Sequence, residues 1–368
     1  MNGCERLWAA LLRKPVDELP VSLQGMDPLN PNRKYRKPGW DPIFERYQRT
    51  GDILAWMNPA VVSEKDDRVR TSSRLLASCP EYEERETIYE TCHGKLTSVH
   101  RNQFLTGATL KHLFTGPEDL PAAREIVTRP VKIDEAGTRA NYERAAGGVH
   151  ALPTLMVGEP IGSAVGLMGA ETFALMLLDA PQIIEELVEL YTEQTMKTLE
   201  AALKTGIRPL VWTGGSEWIT PPYARPETFR ALALPALKRI ADIAHHFGCP
   251  VLAHCHGKIS GVLEMFVEAG VDGIHPFEAP PSGDVTPEEF KRRAGANLCG
   301  VGNIQLDDML RAPEAEIQRQ VDRLLDVFSD WPEGGFVLSV TGTPTCFDAP
   351  SQAVKNYLCL LECKSEAK

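Results

Sequence analysis

The chain has 368 residues, with 39 Lys and Arg against 50 Asp and Glu, so its formal net charge of −11 excludes the basic balance typical of nucleic-acid binding. Hydrophobic residues make up 43% and charged residues 24%, a globular composition that excludes disordered and fibrous classes. No stretch approaches the roughly 20 apolar residues of a membrane span, so we expect no membrane segment.

We expect the N-terminal segment to be neither an export signal nor a transit peptide. Charged side chains interrupt the apolar positions of residues 1–19, and the acidic ones are foreign to a transit peptide, so we expect a cytoplasmic protein. The nine cysteines are odd in number and lack paired spacing, which indicates reduced thiols. Cys255 and Cys346 alone stand near other ligand-type residues.

The first 150 residues carry few clear patterns. Val21–Met26 is the candidate first strand, and residues 27–40 form a polar, proline-rich loop with four basic side chains, Arg33, Lys34, Arg36 and Lys37. A loop of this length is functional or mobile. Residues 66–97 are charged, and a hairpin is expected around Gly94.

From about residue 150, short apolar runs alternate with longer amphipathic stretches, which indicates βα units around a parallel sheet. The predicted strands are Ala151–Val157, Pro209–Trp212, Pro250–Ala253, Gly273–Phe277, Asn297–Gly302 and Phe336–Val340. The predicted helices are Glu171–Lys204 with a break at Pro181, Pro226–Phe247, Ile259–Ala269, Pro287–Ala294, Pro313–Phe328 and Pro350–Glu362.

Consecutive βα units favour an α/β fold of the (βα)8 TIM-barrel type, with an open doubly wound sheet as the alternative. No linker, repeat or low-complexity tract divides the chain. We therefore expect one domain over residues 1–368, in which 1–150 hold an N-terminal elaboration and the first barrel units. Residues 151–368 then hold the C-terminal units that carry the site.

The strongest local signal is Leu252-Ala253-His254-Cys255-His256-Gly257, where an apolar strand runs into three ligand-type side chains. Residues two apart on a strand share a face, so His254 and His256 are expected to point into the barrel mouth and Cys255 outward. Two converging imidazoles suit zinc. The alternative is one structural histidine and one substrate contact.

Glu278 is the candidate third ligand. It lies 22 residues after His256, one βα repeat later, which places both side chains at neighbouring strand ends. It could instead hold a helix N-terminus or pair with Lys258. Cys346 is a candidate fourth ligand or a residue packed beneath the last helix, and His275 is expected to be structural.

The segment from Val211 to Tyr223 has the composition of a pocket wall. Glu217 is the candidate general acid or base or an additional metal ligand, with an exposed loop position as the alternative. The candidate substrate contacts are Trp212, Trp218, Tyr223 and, on a later strand end, Asn303. Glycines here are too sparse for a phosphate-binding loop.

Residues 158–362 resemble the uroporphyrinogen decarboxylase family, including its corrinoid-dependent methyltransferase branch. The resemblance depends on Pro226 and Pro235 in the segment 225–235, on HHFGCPVLAHCHG, EAGVDGIHPFE and GVGNIQ, and on the closing APSQAVKNYL. Weaker matches nearer the N-terminus are DILAWMNP and TLKHLFTGPEDL. The resemblance implies a (βα)8 barrel with its site at the carboxyl ends of the strands, often in a homodimer.

This chain departs from the family's motifs in two places, and both bear on whether it resembles the decarboxylases or the methyltransferases. The decarboxylases carry an Arg-Gln-Ala-Gly-Arg signature for tetrapyrrole propionates, where residues 21–27 here read VSLQGMD. The methyltransferases hold zinc with a His-x-Cys pair and a distal Cys, where this chain has His256 in place of the first cysteine and Cys346 only near the second. Zinc methionine synthases, which are similar in barrel and metal placement, put a glutamate where Glu278 stands.

The leading hypothesis is a zinc-dependent methyltransferase or demethylase that moves a methyl group from a small-molecule donor to a corrinoid on a partner protein. The corrinoid is implied by the resemblance alone. One alternative is cofactor-free decarboxylation of a tetrapyrrole, in which an acid such as Asp52 contacts pyrrole nitrogens and the loop cations replace the missing arginines. The other is a non-catalytic tetrapyrrole- or corrinoid-binding barrel.

Overall fold

The computed structural model describes residues 1–30, 38–63, 66–103 and 106–366. The four basic residues of the loop predicted over 27–40, Arg33, Lys34, Arg36 and Lys37, therefore lie outside the described part of the chain.

The chain begins with a buried helix and the first two barrel strands. Asn2 caps the first helix by accepting a hydrogen bond from the backbone N–H of Glu5, whose carboxylate accepts from the backbone N–H of Asn2. The elements are α1 (Gly3–Leu11), β1 (Val21–Ser22), α2 (Asp41–Thr50) and β2 (Ile53–Met57). The predicted first strand, Val21–Met26, is thus confirmed in position but is shorter than expected.

The next segment forms the elaboration on the barrel. Its four-stranded antiparallel sheet includes the expected hairpin, whose turn joins Thr91 to Gly94. Leu96 of the sheet packs against Ala122 and Ile126 of the following helix. The elements are β3 (Val61–Ser63), β4 (Arg70–Ser78), β5 (Tyr82–Thr91), β6 (Gly94–Gln103), β7 (Gly107–Lys111), α3 (Leu120–Val127), β8 (Val131–Ile133) and α4 (Glu135–Ala145).

The second half alternates strands and helices as the sequence pattern predicts. Proline at the first turn starts α5, α7, α8 and α10, and Gly169 in a left-handed conformation (φ 81°) separates α5 from α6. The elements are β9 (Ala151–Gly158), α5 (Pro160–Met168), α6 (Ala170–Asp179), α7 (Pro181–Lys204), β10 (Leu210–Gly214), α8 (Pro226–His246), β11 (Val251–His254), α9 (Leu263–Ala269), β12 (Gly273–His275), α10 (Pro287–Arg293), β13 (Cys299–Ile304), α11 (Leu306–Arg311), α12 (Glu314–Val327), β14 (Phe336–Val340) and α13 (Ser351–Glu366).

Eight strands form a parallel sheet in the order β1-β14-β13-β12-β11-β10-β9-β2. The backbone N–H of Asp52 donates to the carbonyl of Val21 (2.9 Å), which joins the two ends of this order. The Tyr47 hydroxyl spans the same gap by accepting from Leu23 N (3.0 Å) and donating to the Asp52 carbonyl (3.0 Å). The sheet is therefore a nearly closed TIM barrel, as the sequence predicts.

The barrel interior and the layer between strands and helices are separate clusters. Inward residues such as Leu210, Trp212, Leu252 and Val301 pack with α1, which closes the amino-terminal end of the barrel. Outward residues such as Val251 and Cys255 pack with the surrounding helices. The outward direction expected for Cys255 is thus confirmed.

Asp52 lies at the closed end of the barrel. Its carboxylate is fully buried and accepts from Arg6 Nη1 (2.6 Å), Lys364 Nζ (2.8 Å) and Val21 N (2.9 Å). The hypothesis that Asp52 contacts pyrrole nitrogens is therefore wrong, because Asp52 precedes β2 whereas a barrel site lies beyond the carboxyl ends of the strands. Its structural role is to join the two ends of the chain.

In the described part of the chain, no helix taken singly has the length and apolar composition to span a bilayer. The α5 and α6 helices meet that criterion only as a pair, and they are bent by 105° relative to each other.

Candidate active site

A cavity of about 1040 Å³ opens at the carboxyl ends of the barrel strands. Its wall combines the ends of β2, β9, β10 and β11 with the loops after β1 and β14, and it includes Trp56, Trp212, Glu217 and His254. A cavity of this volume at this end of a TIM barrel suits a small-molecule substrate.

His254 is positioned by a buried neighbour, His275. The Nε2–H of His275 donates to the carbonyl of Val340 (3.0 Å), so its Nδ1 is left to accept from His254 Nδ1 (2.9 Å). Burial lowers the pKa of His275 to about 3 and holds the pKa of His254 well below its ordinary value, so both rings are neutral. These partners leave Nε2 of His254 without a proton and available to the cavity.

The structural role expected for His275 thus becomes a specific one, since its hydrogen bond sets the tautomer of His254. The spacing in the sequence did not reveal this contact. β12 ends at His275, and the following residues leave the strand before Glu278. The strand alternation that would turn His275 and Glu278 to opposite faces therefore does not extend across this segment.

His256 and Glu278 form a second pair, just beyond the strand ends. Oε2 of Glu278 lies 3.2 Å from His256 Nδ1 and accepts from the backbone N–H of Gly257 (2.7 Å). Burial opposes both charges, but the hydrogen bond and attraction between the partners raise the pKa of His256, and the hydrogen bonds from His256 and Gly257 lower the pKa of Glu278. The sequence correctly placed these residues at neighbouring strand ends.

The predicted metal ligands do not converge as one set. His254 and His256 have ring centroids 4.6 Å apart, yet His254 bonds to His275 and His256 to Glu278. Cys346 is half-buried and packs against the main hydrophobic cluster rather than lining the cavity. Among the residues that the structure describes, no three His, Cys, Asp or Glu side chains are grouped to hold a metal ion.

Two acidic side chains, Glu217 and Glu159, interact with each other near this site. Glu217, on a 3-10 helix over Ser216–Ile219, lines the cavity and has a buried Oε2 without a hydrogen-bond partner in the described chain. Glu159 caps α5, accepting from Ile161 N (3.1 Å) and Gly162 N (3.4 Å), while its Oε1 is buried and also lacks a described partner.

Burial raises the pKa of Glu159 to about 8, and the negative charge of Glu217 adds to this effect although the Gly162 and Ile161 N–H groups oppose it. Glu159 is thus largely protonated at neutral pH. Sequence reasoning missed this residue. The only available signal was an acidic residue between a strand end and Pro160, which also describes an ordinary helix cap.

The candidate substrate contacts separate into two groups. Trp212 lines the cavity, and its ring centroid lies 4.9 Å from those of both Trp56 and His254. The other candidates are absent from the lining of this cavity. Trp218 and Tyr223 contact each other (5.9 Å between centroids), and the buried Asn303 side chain donates to the carbonyl of Phe277 (2.9 Å).

The chain is similar to known proteins in both sequence and fold. Residues 152–358 match the model of the uroporphyrinogen decarboxylase (URO-D) family. The fold is similar to that of a methyltransferase from Methanosarcina mazei, at 17% sequence identity and a TM-score of 0.61, over 100% of this chain and 99% of that one. It also matches a D-psicose 3-epimerase at 14% identity and a TM-score of 0.36, over 64% of this chain and 82% of that one. None of the curated proteins compared matches the sequence.

Proposed function

The chain belongs to the uroporphyrinogen decarboxylase family, and from this membership we propose that it is a methyltransferase that moves a methyl group from a small-molecule donor to a corrinoid acceptor on a partner protein. The observation that carries the proposal is the meeting of the neutral His254 and the unpartnered Glu217 carboxylate in one cavity. The full-length fold similarity to the M. mazei methyltransferase supports this branch.

The decarboxylase alternative has less support. The arginine signature for propionates is missing from residues 21–27, and the buried Asp52 is held by Arg6 and Lys364 at the opposite end of the barrel. A tetrapyrrole would therefore lack the acid assigned to it.

The two carboxyl groups suit the proton chemistry of demethylation. When the bond between methyl carbon and donor heteroatom breaks, the electron pair stays on the heteroatom, which must then gain a proton. Glu159 holds a proton at neutral pH and interacts with Glu217, whose side chain reaches the cavity. Glu159 is thus the source of that proton, and Glu217, which lines the cavity, is placed to receive it and pass it to the heteroatom.

Histidine, glutamate and cysteine side chains suit zinc, but their arrangement here fits zinc only in part. His254 has the neutral ring and hydrogen-bonded Nδ1 typical of a metal ligand, whereas the side chains of His256 and Glu278 are paired with each other. Zinc binding by His254, His256, Glu278 and Cys346 therefore stays a prediction, and no step depends on it here. A corrinoid, when bound, supplies the nucleophile that receives the methyl group.

The test is methyl transfer to reduced cobalamin. The protein is incubated anaerobically with cob(I)alamin and a panel of methyl ethers, methylamines and methyl thioethers, and the absorbance spectrum reports formation of methylcobalamin. We expect one donor class to react, and Glu217→Gln to slow the transfer by about 100-fold or more. Glu185→Gln, an exposed change on α7, serves as the matched control.

Two results would contradict the proposal. Conversion of uroporphyrinogen to coproporphyrinogen without methyl transfer would favour the decarboxylase. Retention of cobalamin with no turnover of any donor would favour the binding barrel.

A further inference from the structure

Arg144 is a cavity residue to which the proton and methyl chemistry assigns no role. It lies in the last turn of α4, lines the cavity, and donates from Nη2 to the carbonyl of Trp56 (2.9 Å). Its Nη1 is buried and has no hydrogen-bond partner among the described residues. A guanidinium is permanently charged, and a buried donor without an acceptor is costly, so this atom is suited to receive an anionic partner.

The nearby carboxylate does not provide that partner. Asp27 interacts with the charge of Arg144, but its Oδ1 accepts from Leu29 N (2.8 Å) and its Oδ2 from Trp56 N (3.0 Å). The adjacent wall is formed by the carboxamide residues Asn58 and Asn141, and Asn141 donates to the Asn58 carbonyl (3.1 Å). Among the described residues, this part of the cavity thus combines carboxamides and the Asp27 carboxylate, whose two oxygens accept from backbone N–H groups, with an Arg144 guanidinium that is not fully satisfied.

An aromatic surface connects Arg144 with the reactive side chains. The carbonyl that holds Arg144 belongs to Trp56, whose ring meets Trp212 edge to face (86°), and Trp212 in turn contacts His254. β2 and β11, which carry Trp56 and His254, are separated by β9 and β10. At about 4.8 Å per strand this is roughly 14 Å along the wall, and less between inward-pointing side chains.

We propose that Arg144 binds an oxyanion of the methyl donor, so that the substrate is a single-ring aromatic acid lying on Trp56 and Trp212 with its methyl-bearing atom toward His254 and Glu217. This inference rests on the proposed function for the methyl group, but the anion site is defined by Arg144 itself. A carboxylate matches the two-pronged geometry of a guanidinium.

Binding of a charged probe and its neutral analogue tests the site without any methyl acceptor. Isothermal titration calorimetry compares 4-methoxybenzoate with 4-methoxybenzamide on the native protein, Arg144→Gln, Arg144→Lys and the matched control Arg139→Gln, an exposed change on the same helix. We expect the native protein to favour the acid by about 10-fold or more, and Arg144→Gln to weaken the acid by about 10- to 100-fold while changing the amide by less than about twofold. Arg144→Lys keeps part of the preference, and Arg139→Gln keeps all of it.

Equal affinity for acid and amide, no binding of either probe, or an equal loss of both in a folded Arg144→Gln variant would overturn the anion site. A protein that binds the acid through Arg144 but methylates no cobalamin would retain this site and lose the methyltransferase proposal. A protein that demethylates neutral donors with no preference for acids would retain the methyltransferase proposal and lose the anion site.

Discussion

Replacing Glu159 by Gln is expected to stabilise the protein, by an amount that grows with pH. The pKa of this carboxyl is raised from 4.5 to about 8, mainly by burial, so folding takes up a proton between these two values. The native protein therefore loses stability as the pH rises through this range and suffers no such loss below about pH 4.5. A glutamine is neutral in both states and removes that dependence.

The magnitude follows from the interval between the pH and the ordinary pKa. At about 1.4 kcal/mol per pKa unit, the unfolding free energy of the native protein is lower by about 3 kcal/mol at pH 7, and by about 4 to 5 kcal/mol above pH 8, than it is below pH 4.5. Glutamine keeps the cap, because its carbonyl oxygen can accept from the N–H groups of Ile161 and Gly162.

Urea denaturation at pH 5.5, 7.0 and 8.5 measures the effect, with Glu185→Gln as the exposed control. We expect the gain in unfolding free energy for Glu159→Gln to rise across the series, and the control to stay within about 0.5 kcal/mol at each pH. A gain that does not change with pH, or a loss at every pH, would refute the assignment of a buried, protonated carboxyl.

Two further predictions concern the metal and the closed end of the barrel. Elemental analysis of protein purified without chelator should find about one zinc per chain, lost in His254→Ala, His256→Ala and Glu278→Ala but kept in the exposed control His93→Ala; no zinc after reconstitution would remove the zinc hypothesis. Asp52→Asn should lower the unfolding free energy by about 3 to 5 kcal/mol, because Arg6 and Lys364 lose their shared buried partner. A loss below about 1 kcal/mol in urea denaturation would contradict that role.

The second half of the barrel could be predicted from the sequence because its strands are short apolar runs bounded by proline and glycine. The strand predicted over Phe336–Val340 has the same bounds in the structure, and Pro181 divides α6 from α7 as expected. α11 was missed because it has only six residues, of which Met309 alone is buried. The antiparallel sheet was only partly recognised, since β4 and β7 are largely exposed and show no apolar alternation.

The site was predictable where one strand carries the signal and not where distant segments meet. His254, His256 and Glu278 follow apolar runs, and the sequence placed them at neighbouring strand ends. The contact of His254 with His275 depends on where β12 stops. Arg144 belongs to a polar helix of weak periodicity, and only the folded chain brings it to the carbonyl of Trp56.

The ion cluster around Asp52 also fixes where the first and the last helix lie. Arg6 near one end and Lys364 near the other share this carboxylate beneath the barrel, on the side opposite the cavity. A label or surface linker attached near Arg6 or Lys364 therefore lies on the side away from the opening. Protein immobilised through such a linker presents the mouth of the cavity to the solution, which suits surface-based measurements of the transfer proposed above.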